Sequence, residues 1–170
     1  MTRVLMVIAP EIFRDEEYAQ PLRVLEARGA AVETASTRPG PCRGKLGMTA
    51  EATLSVGDAI AEEYRAIVFV GGAGAQVFFD DPAAHALARA AHALGRVVAA
   101  ICIAPSVLAR AGLLDGVRAT AFPTQRDDLL AHGALWSDGP VEVHGSLITA
   151  NGPDAARDFG LAIGDALGLP

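Results

Sequence analysis

At 170 residues the chain is long enough for a full hydrophobic core, and 51% hydrophobic, 20% charged and 5% aromatic residues are ordinary for a compact fold rich in Ala and Gly. A net charge of −6, with Arg and Lys scattered rather than clustered, argues against nucleic acid or an anionic membrane as partner, because phosphates need a basic face. Two Cys make no disulfide framework, no basic-then-apolar leader precedes the first apolar run, and no stretch is apolar enough to span a bilayer, so the expectation is one domain over 1–170 in a reducing cytoplasm.

The apolar run 4–9 reads as a central strand buried on both faces. Asp15, Glu16 and Glu17 open a helix that runs to Arg28 and stops at Gly29. A second strand is expected over 31–35, followed by loop over 37–47, where Gly and Pro are too dense for a helix. Residues 48–54 alternate weakly, as a strand or hairpin arm would. A third buried strand over 66–70 ends at Gly71-Gly72-Ala73-Gly74. The helix predicted over 82–94 turns Ala83, Ala86, Leu87, Ala90 and Leu94 to one side. Residues 97–101 form another buried strand, and a helix starts at Pro105 and continues through Ala111. Strands follow over 118–122, 134–136, 141–144 and 147–150, with a short helix over 126–132. A closing helix over 153–167 faces Ala155, Phe159, Ala162, Ile163 and Ala166 inward. Alternating strands and helices imply a mostly parallel sheet covered on both faces. In such a sheet the ligand crevice lies beyond the carboxyl ends of the strands.

Three features fall at those ends. Cys102 lies on the turn between a strand and a helix, with the small residues Ala100 and Ala104 two positions to either side. That is the logic of a nucleophile elbow with sulfur in place of oxygen, and the following helix N-terminus favours thiolate. The alternative is a buried structural Cys. Gly71 and Gly72 can present backbone N–H groups to an oxyanion, or can simply make a tight turn. Glu16 and Glu17 either stabilise the helix dipole, by about 0.3–1 kcal/mol each, or send one carboxyl toward Cys102. Helix phase does not choose between them. A carboxyl buried against a thiolate is driven toward its protonated form and can donate to sulfur. His85, His92, His132 and His144 show no ligand spacing, so no metal is expected.

Together these residues resemble the DJ-1/PfpI superfamily over nearly the whole chain. The anchors are the run 4–9, Phe13-Arg14-Asp15-Glu16-Glu17 with Pro21 four residues on, and Val68-Phe69-Val70-Gly71-Gly72. Further anchors are Ala99-Ala100-Ile101-Cys102-Ile103-Ala104-Pro105, Ala111-Gly112-Leu113-Leu114 and Asn151-Gly152-Pro153. The resemblance implies an α/β, flavodoxin-like three-layer sandwich with a mostly parallel central sheet and a nucleophile elbow. It implies Cys102 as the reactive cysteine, Glu17 as its acid, and the N–H groups of Gly72 and Ile103, beside Gly71, as the oxyanion pocket. Departures are equally informative. Ile103 stands where protease-like members carry His, Gln76 where they carry the partner acid, and Phe122 where some deglycase-like members place a His. A Cys-His-acid protease is therefore disfavoured. Glu17 in place of Asp argues against the isocyanide-hydrating branch. The implied activity is that of a cofactor-independent glyoxalase or deglycase acting on 2-oxoaldehydes, with a hemithioacetal on Cys102 and Glu17 as acid and base. The alternative is a non-enzymatic oxidative-stress sensor or chaperone-like protein that uses oxidation of Cys102. The implied partners are a small aldehyde substrate and a second copy of the chain in a homodimer, with Phe78, Phe79 and Trp136 as interface anchors or core residues.

Overall fold

The computed structural model describes residues 1–170. Its strands are β1 (Arg3–Val7), β2 (Glu11–Phe13), β3 (Ala31–Ser36), β4 (Gly40–Gly44), β5 (Thr49–Ala52), β6 (Leu54–Ser55), β7 (Ala66–Phe69), β8 (Val97–Ile101), β9 (Arg118–Ala119), β10 (Leu135–Trp136), β11 (Val141–His144) and β12 (Leu147–Ala150). The α-helices are α1 (Asp15–Ala27), α2 (Pro82–Ala93), α3 (Pro105–Arg110), α4 (Arg126–Ala131) and α5 (Ala156–Ala166). Seven strands form the central sheet in the order β11-β12-β8-β7-β1-β3-β6. Every neighbouring pair in it is parallel except β11 and β12, which a tight turn at Gly145 joins as a hairpin.

The strand pleat divides the core into two. Val4, Met6 and Ile8 join Leu25, Phe159 and Ile163 beneath α1 and α5. Leu5, Val7 and Ala9 join Leu87 of α2 and Leu108 of α3 on the opposite side. Alternate side chains of one strand thus serve two apolar layers, which is why the run reads as continuously hydrophobic. The result is the three-layer α/β sandwich expected.

Several local expectations change. Residues 40–44 are not loop: β4 pairs antiparallel with β5 and parallel with β2, whose existence the sequence did not announce. Cys42 and Gly44 turn inward from β4 while Pro41 and Arg43 turn out, a period-two pattern hidden by the Gly and Pro content. The buried face of α2 is Ala84, Leu87, Ala88 and Ala91, about one position from the face predicted, because alanines on every side leave Leu87 alone to set the phase. On α5, Ala166 is exposed and Ala162 only partly covered, whereas Gly160 and Gly164 lie against α1. The strand expected over 118–122 is cut to Arg118–Ala119, because it pairs with β10 outside the main sheet. Phe78 is a fully buried core side chain, which removes it as a surface anchor, and Phe79 and Trp136 are partly covered.

Gly160 lets α5 cross α1 closely, since a Cβ there would lie 2.8 Å from Pro21 Cα. Replacing Gly160 with Val should therefore cost about 1–3 kcal/mol through overpacking. Thermal unfolding should show a Tm lower by several degrees, and an unchanged Tm would mean that the helices are not in contact at this point.

Candidate active site

Cys102 directly follows β8 and precedes the turn into α3. Its φ of 64° is left-handed, a conformation shared by only one other non-glycine residue, Ile12 at 58°. Such a backbone costs on the order of 1–3 kcal/mol and persists only where neighbours over-determine it. Here the Cys102 N–H donates to Ala150 O on β12 at 2.9 Å, and the Cys102 carbonyl accepts from the Phe122 N–H at 2.8 Å. The strand-turn-helix elbow expected at this position is present, and it aims the side chain across the strand ends.

Glu17 lies in the first turn of α1 with no solvent exposure. Glu16 turns the other way and pairs with Arg14 at 2.9 Å. The structure thereby separates the two carboxyls that helix phase left equivalent. Gly71 is where Glu17 and the cysteine come together: a Cβ at 71 would lie 2.6 Å from Cys102 Cβ and 2.8 Å from Glu17 Oε2. No residue larger than glycine fits. Gly72 adds a left-handed φ of 93°, and a Cβ there would meet the backbone of Ile12, Phe13 and Arg14. The Arg14 N–H also donates to Gly71 O at 2.9 Å, tying the start of α1 to the glycine turn.

The electrostatics of this pair differ from a thiolate favoured by a helix end. Burial pushes the Glu17 carboxyl up to about 8, while the nearby sulfur and the Arg14 guanidinium pull it down only in part. Both carboxyl oxygens are buried without a partner in ordinary hydrogen-bond geometry, so the sulfur is an adjacent group rather than a well-aligned acceptor. Burial and then the charge of a Glu17 carboxylate push the Cys102 thiol up to about 12, and the N–H groups of Gly72 and Ile103 pull it back. The largest upward contributions disagree with the expectation from the sequence. α3 is only six residues long, and burial is the largest influence on the thiol. At neutral pH the carboxyl is protonated, the carboxylate repulsion is then absent, and a thiolate would have an acid to face.

Cys102, 9% exposed, forms part of the floor of an open cavity of about 580 Å3. Gly72 and Ile103 line it beside the sulfur, and Gln76 and Phe122 occupy wall positions where related sites were expected to carry an acid or an imidazole. None of the four His residues lines it. Gly71 lies just beneath, packed on Cys102 and Glu17. The cavity also holds residues that the sequence reading passed over: Arg14, Lys45 and Gln125, whose Nε2 donates to the buried Ser106 Oγ at 2.8 Å. Lys45 was hidden in the segment read as loop, although it is the only lysine in the chain. Asp15 fixes the turn that carries it, accepting from the N–H groups of Leu46 and Met48 at 2.9 and 2.8 Å. Cys42 is buried in β4 and, like Cys102, is a free thiol. No three His, Cys, Asp or Glu side chains are grouped as a metal site, and no helix is long and apolar enough to cross a membrane.

The sequence profile of the DJ-1/PfpI family matches residues 2–166. An uncharacterized protein of Methanocaldococcus jannaschii is 42% identical over 164 residues, covering 95% of this chain and 80% of the relative. The deglycase PfpI of Pyrococcus furiosus is 31% identical over 151 residues, covering 89% of this chain and 90% of that protein. The crystal structure of a ThiJ/PfpI domain protein from Brachyspira murdochii superposes with a TM-score of 0.96 at 30% identity, covering 98% of this chain and 96% of that one.

The raised carboxyl has a consequence for stability. Below pH 4.5 Glu17 is protonated in both folded and unfolded chains; between 4.5 and about 8 only the unfolded chain releases the proton, so stability falls as pH rises and then levels off. Glu17→Gln removes this loss, which amounts to on the order of a few kcal/mol. The Tm advantage of Glu17→Gln over wild type should be small at pH 5 and grow to several degrees at pH 8.5. A Tm difference that does not change with pH would contradict the raised carboxyl.

Proposed function

The chain belongs to the DJ-1/PfpI family, and from that membership we propose that it is a cysteine-dependent enzyme of deglycase or glyoxalase type acting on reactive 2-oxoaldehydes. The observation that supports this reading is the meeting of one sulfur, one proton-holding carboxyl and two backbone N–H groups at the floor of an accessible cavity. Relatives named as deglycases, among them that of Pyrococcus furiosus, point the same way.

The chemistry follows from the order in which protons move. The Cys102 thiol releases its proton to water, and the thiolate adds to the aldehyde carbon of a compound such as methylglyoxal, forming a C–S bond as the carbonyl π bond opens to an alkoxide. The developing alkoxide rests on the N–H groups of Gly72 and Ile103 and takes the proton of the Glu17 carboxyl. Glu17, now a carboxylate, removes the hydrogen from the former aldehyde carbon as a proton and returns it to the adjacent carbonyl carbon, while the hydroxyl proton of the hemithioacetal passes to the adjacent oxygen, leaving C=O at the first carbon and O–H at the second. One carbon is oxidised and its neighbour reduced, so no external oxidant takes part. The product is a 2-hydroxy thioester on Cys102, which water hydrolyses to a lactate-type acid and free thiol. A carboxyl that titrates at about 8 suits both donation and abstraction near neutral pH. With Phe122 and Ile103 in place of the imidazoles of other members, the Glu17 carboxyl alone handles protons beside the sulfur, and turnover should be slow.

A second reading is favoured by the same carboxyl. A protonated Glu17 can donate to the oxygen of a sulfinic acid on Cys102, which would make the thiol a stable oxidation sensor. The two readings share the reactive sulfur and are not exclusive. Assembly into a homodimer belongs to the same proposal, with Phe79 and Trp136 as the remaining candidate anchors.

Lactate release from methylglyoxal should vanish in Cys102→Ala and fall about 10²–10⁴-fold in Glu17→Gln. Chiral product analysis of wild type, beside both variants, checks this, and undiminished turnover in Cys102→Ala removes the catalytic role of the sulfur. For the sensor reading, mild peroxide followed by mass spectrometry should place oxygen on Cys102; preferential modification of Cys42 would reverse it.

A further inference from the structure

The charge lining the cavity has the opposite sign to the chain. The chain carries −6, yet the charged or acidic side chains lining the cavity, besides Cys102, are Arg14, Lys45 and Glu17. Glu17 is the one acid among them, is wholly buried, and keeps its proton at neutral pH. The remaining two are cations. Arg14 uses Nε and Nη2 on Glu16, leaving Nη1 without a partner. Lys45 makes no side-chain ion pair or hydrogen bond at all and is exposed at the rim. In a chain with one lysine and thirteen arginines, that lysine lines the cavity that Cys102 also lines.

The backbone of both residues is held by the fold. The Arg14 N–H is bonded to Gly71 O, and the Lys45 N–H donates to Phe13 O at 2.9 Å. Asp15 spends both carboxylate oxygens on the N–H groups of Leu46 and Met48, which pins the turn beside Lys45. A cavity lined by cations, with low-dielectric walls, concentrates anions. A point charge on a flexible stem, such as Lys45, suits a carboxylate or phosphate oxygen without demanding one geometry.

We propose that the cavity selects carbonyl compounds carrying an anionic oxo group, a carboxylate or a phosphate, and that Lys45 and Arg14 are the residues that select them. This rests on the reading of Cys102 as the site of carbonyl addition and narrows its substrate class. The anionic group sits toward the rim, the reactive carbonyl toward the sulfur, and neutral 2-oxoaldehydes are poorer ligands.

The test uses alkylation of Cys102, which needs a reactive thiol but no turnover. Rates are measured for iodoacetate, an anion, and iodoacetamide, its neutral counterpart, in wild type, Lys45→Gln and Lys45→Gln/Arg14→Gln, with mass spectrometry locating the label. The ratio of the two rates is read, so that a change in thiolate fraction cancels. It should fall at least threefold in Lys45→Gln and further in the double variant, and the wild-type ratio should fall toward that of the variants in 0.5 M salt as the charges are screened. Lys45 is exposed, so its single variant keeps the test independent of folding. Inorganic phosphate and acetate are then added as protectants against iodoacetamide, and the stronger protector identifies the preferred group. A ratio equal in all three proteins, or protection by neither anion, overturns the proposal. Failure of neutral and anionic 2-oxoaldehydes alike to turn over, with the charge-dependent alkylation ratio intact, would sink the catalytic reading and leave only the anion preference of the cavity.

Discussion

A carboxyl with no solvent exposure and a sulfur on a left-handed backbone meet beside Gly71, and the rest of the site depends on that contact. Neither group is comfortable there. The acid is held above its normal titration range by burial, and the thiol is pushed up by the same cause. The two compete for protons in a region where the N–H groups of Gly72 and Ile103 are the groups that favour a charged sulfur. Groups whose environments displace their proton affinities in a cleft are the usual mark of chemistry rather than of stability.

The sheet makes such a contact possible. Parallel strands end together, so the elbow after β8, the glycine turn after β7 and the start of α1 after β1 and β2 converge on one edge. Each strand end carries a different kind of group: a thiol, backbone N–H groups and a carboxyl. The paired layers beneath are filled by alternating side chains of the same strands and give the rigid base on which two strained residues, Ile12 and Cys102, can be held. The small β2-β4-β5 sheet lies at the same end and brings Lys45 to the rim. Positive charge thus reaches the cavity through an excursion from the sheet, while the thiol and the carboxyl follow the strands of its core.

Much of this was legible in the sequence, and the boundary is physical. Long apolar runs such as 4–9 and 97–101 announce strands because both their faces are buried. Cys102 stood out because small residues flank it and a proline follows it. Segment 40–44 did not stand out: its Gly and Pro obscured a strand whose alternate residues turn inward. Ala-rich α2 misled by one position, because alanine carries little phase information. Choosing Glu17 over Glu16 required family likeness in the sequence and coordinates to see why, since Arg14 claims Glu16. The proton affinity of the pair was legible only in part. Partial protonation of a buried carboxyl was foreseen, but the upward push on the thiol depends on depth of burial, which no local pattern encodes.

The most direct measurement is the titration of Glu17 itself, by carbon NMR of the side-chain carboxyl in protein labelled at glutamate, with the resonance assigned by its loss in Glu17→Gln. The account predicts a midpoint near 8, far above the ordinary 4.5, with a second, smaller shift as the sulfur ionises. A midpoint near 4.5 would contradict it, because an acid already ionised at neutral pH could neither donate to the substrate oxygen nor sit unpaired beside a buried sulfur.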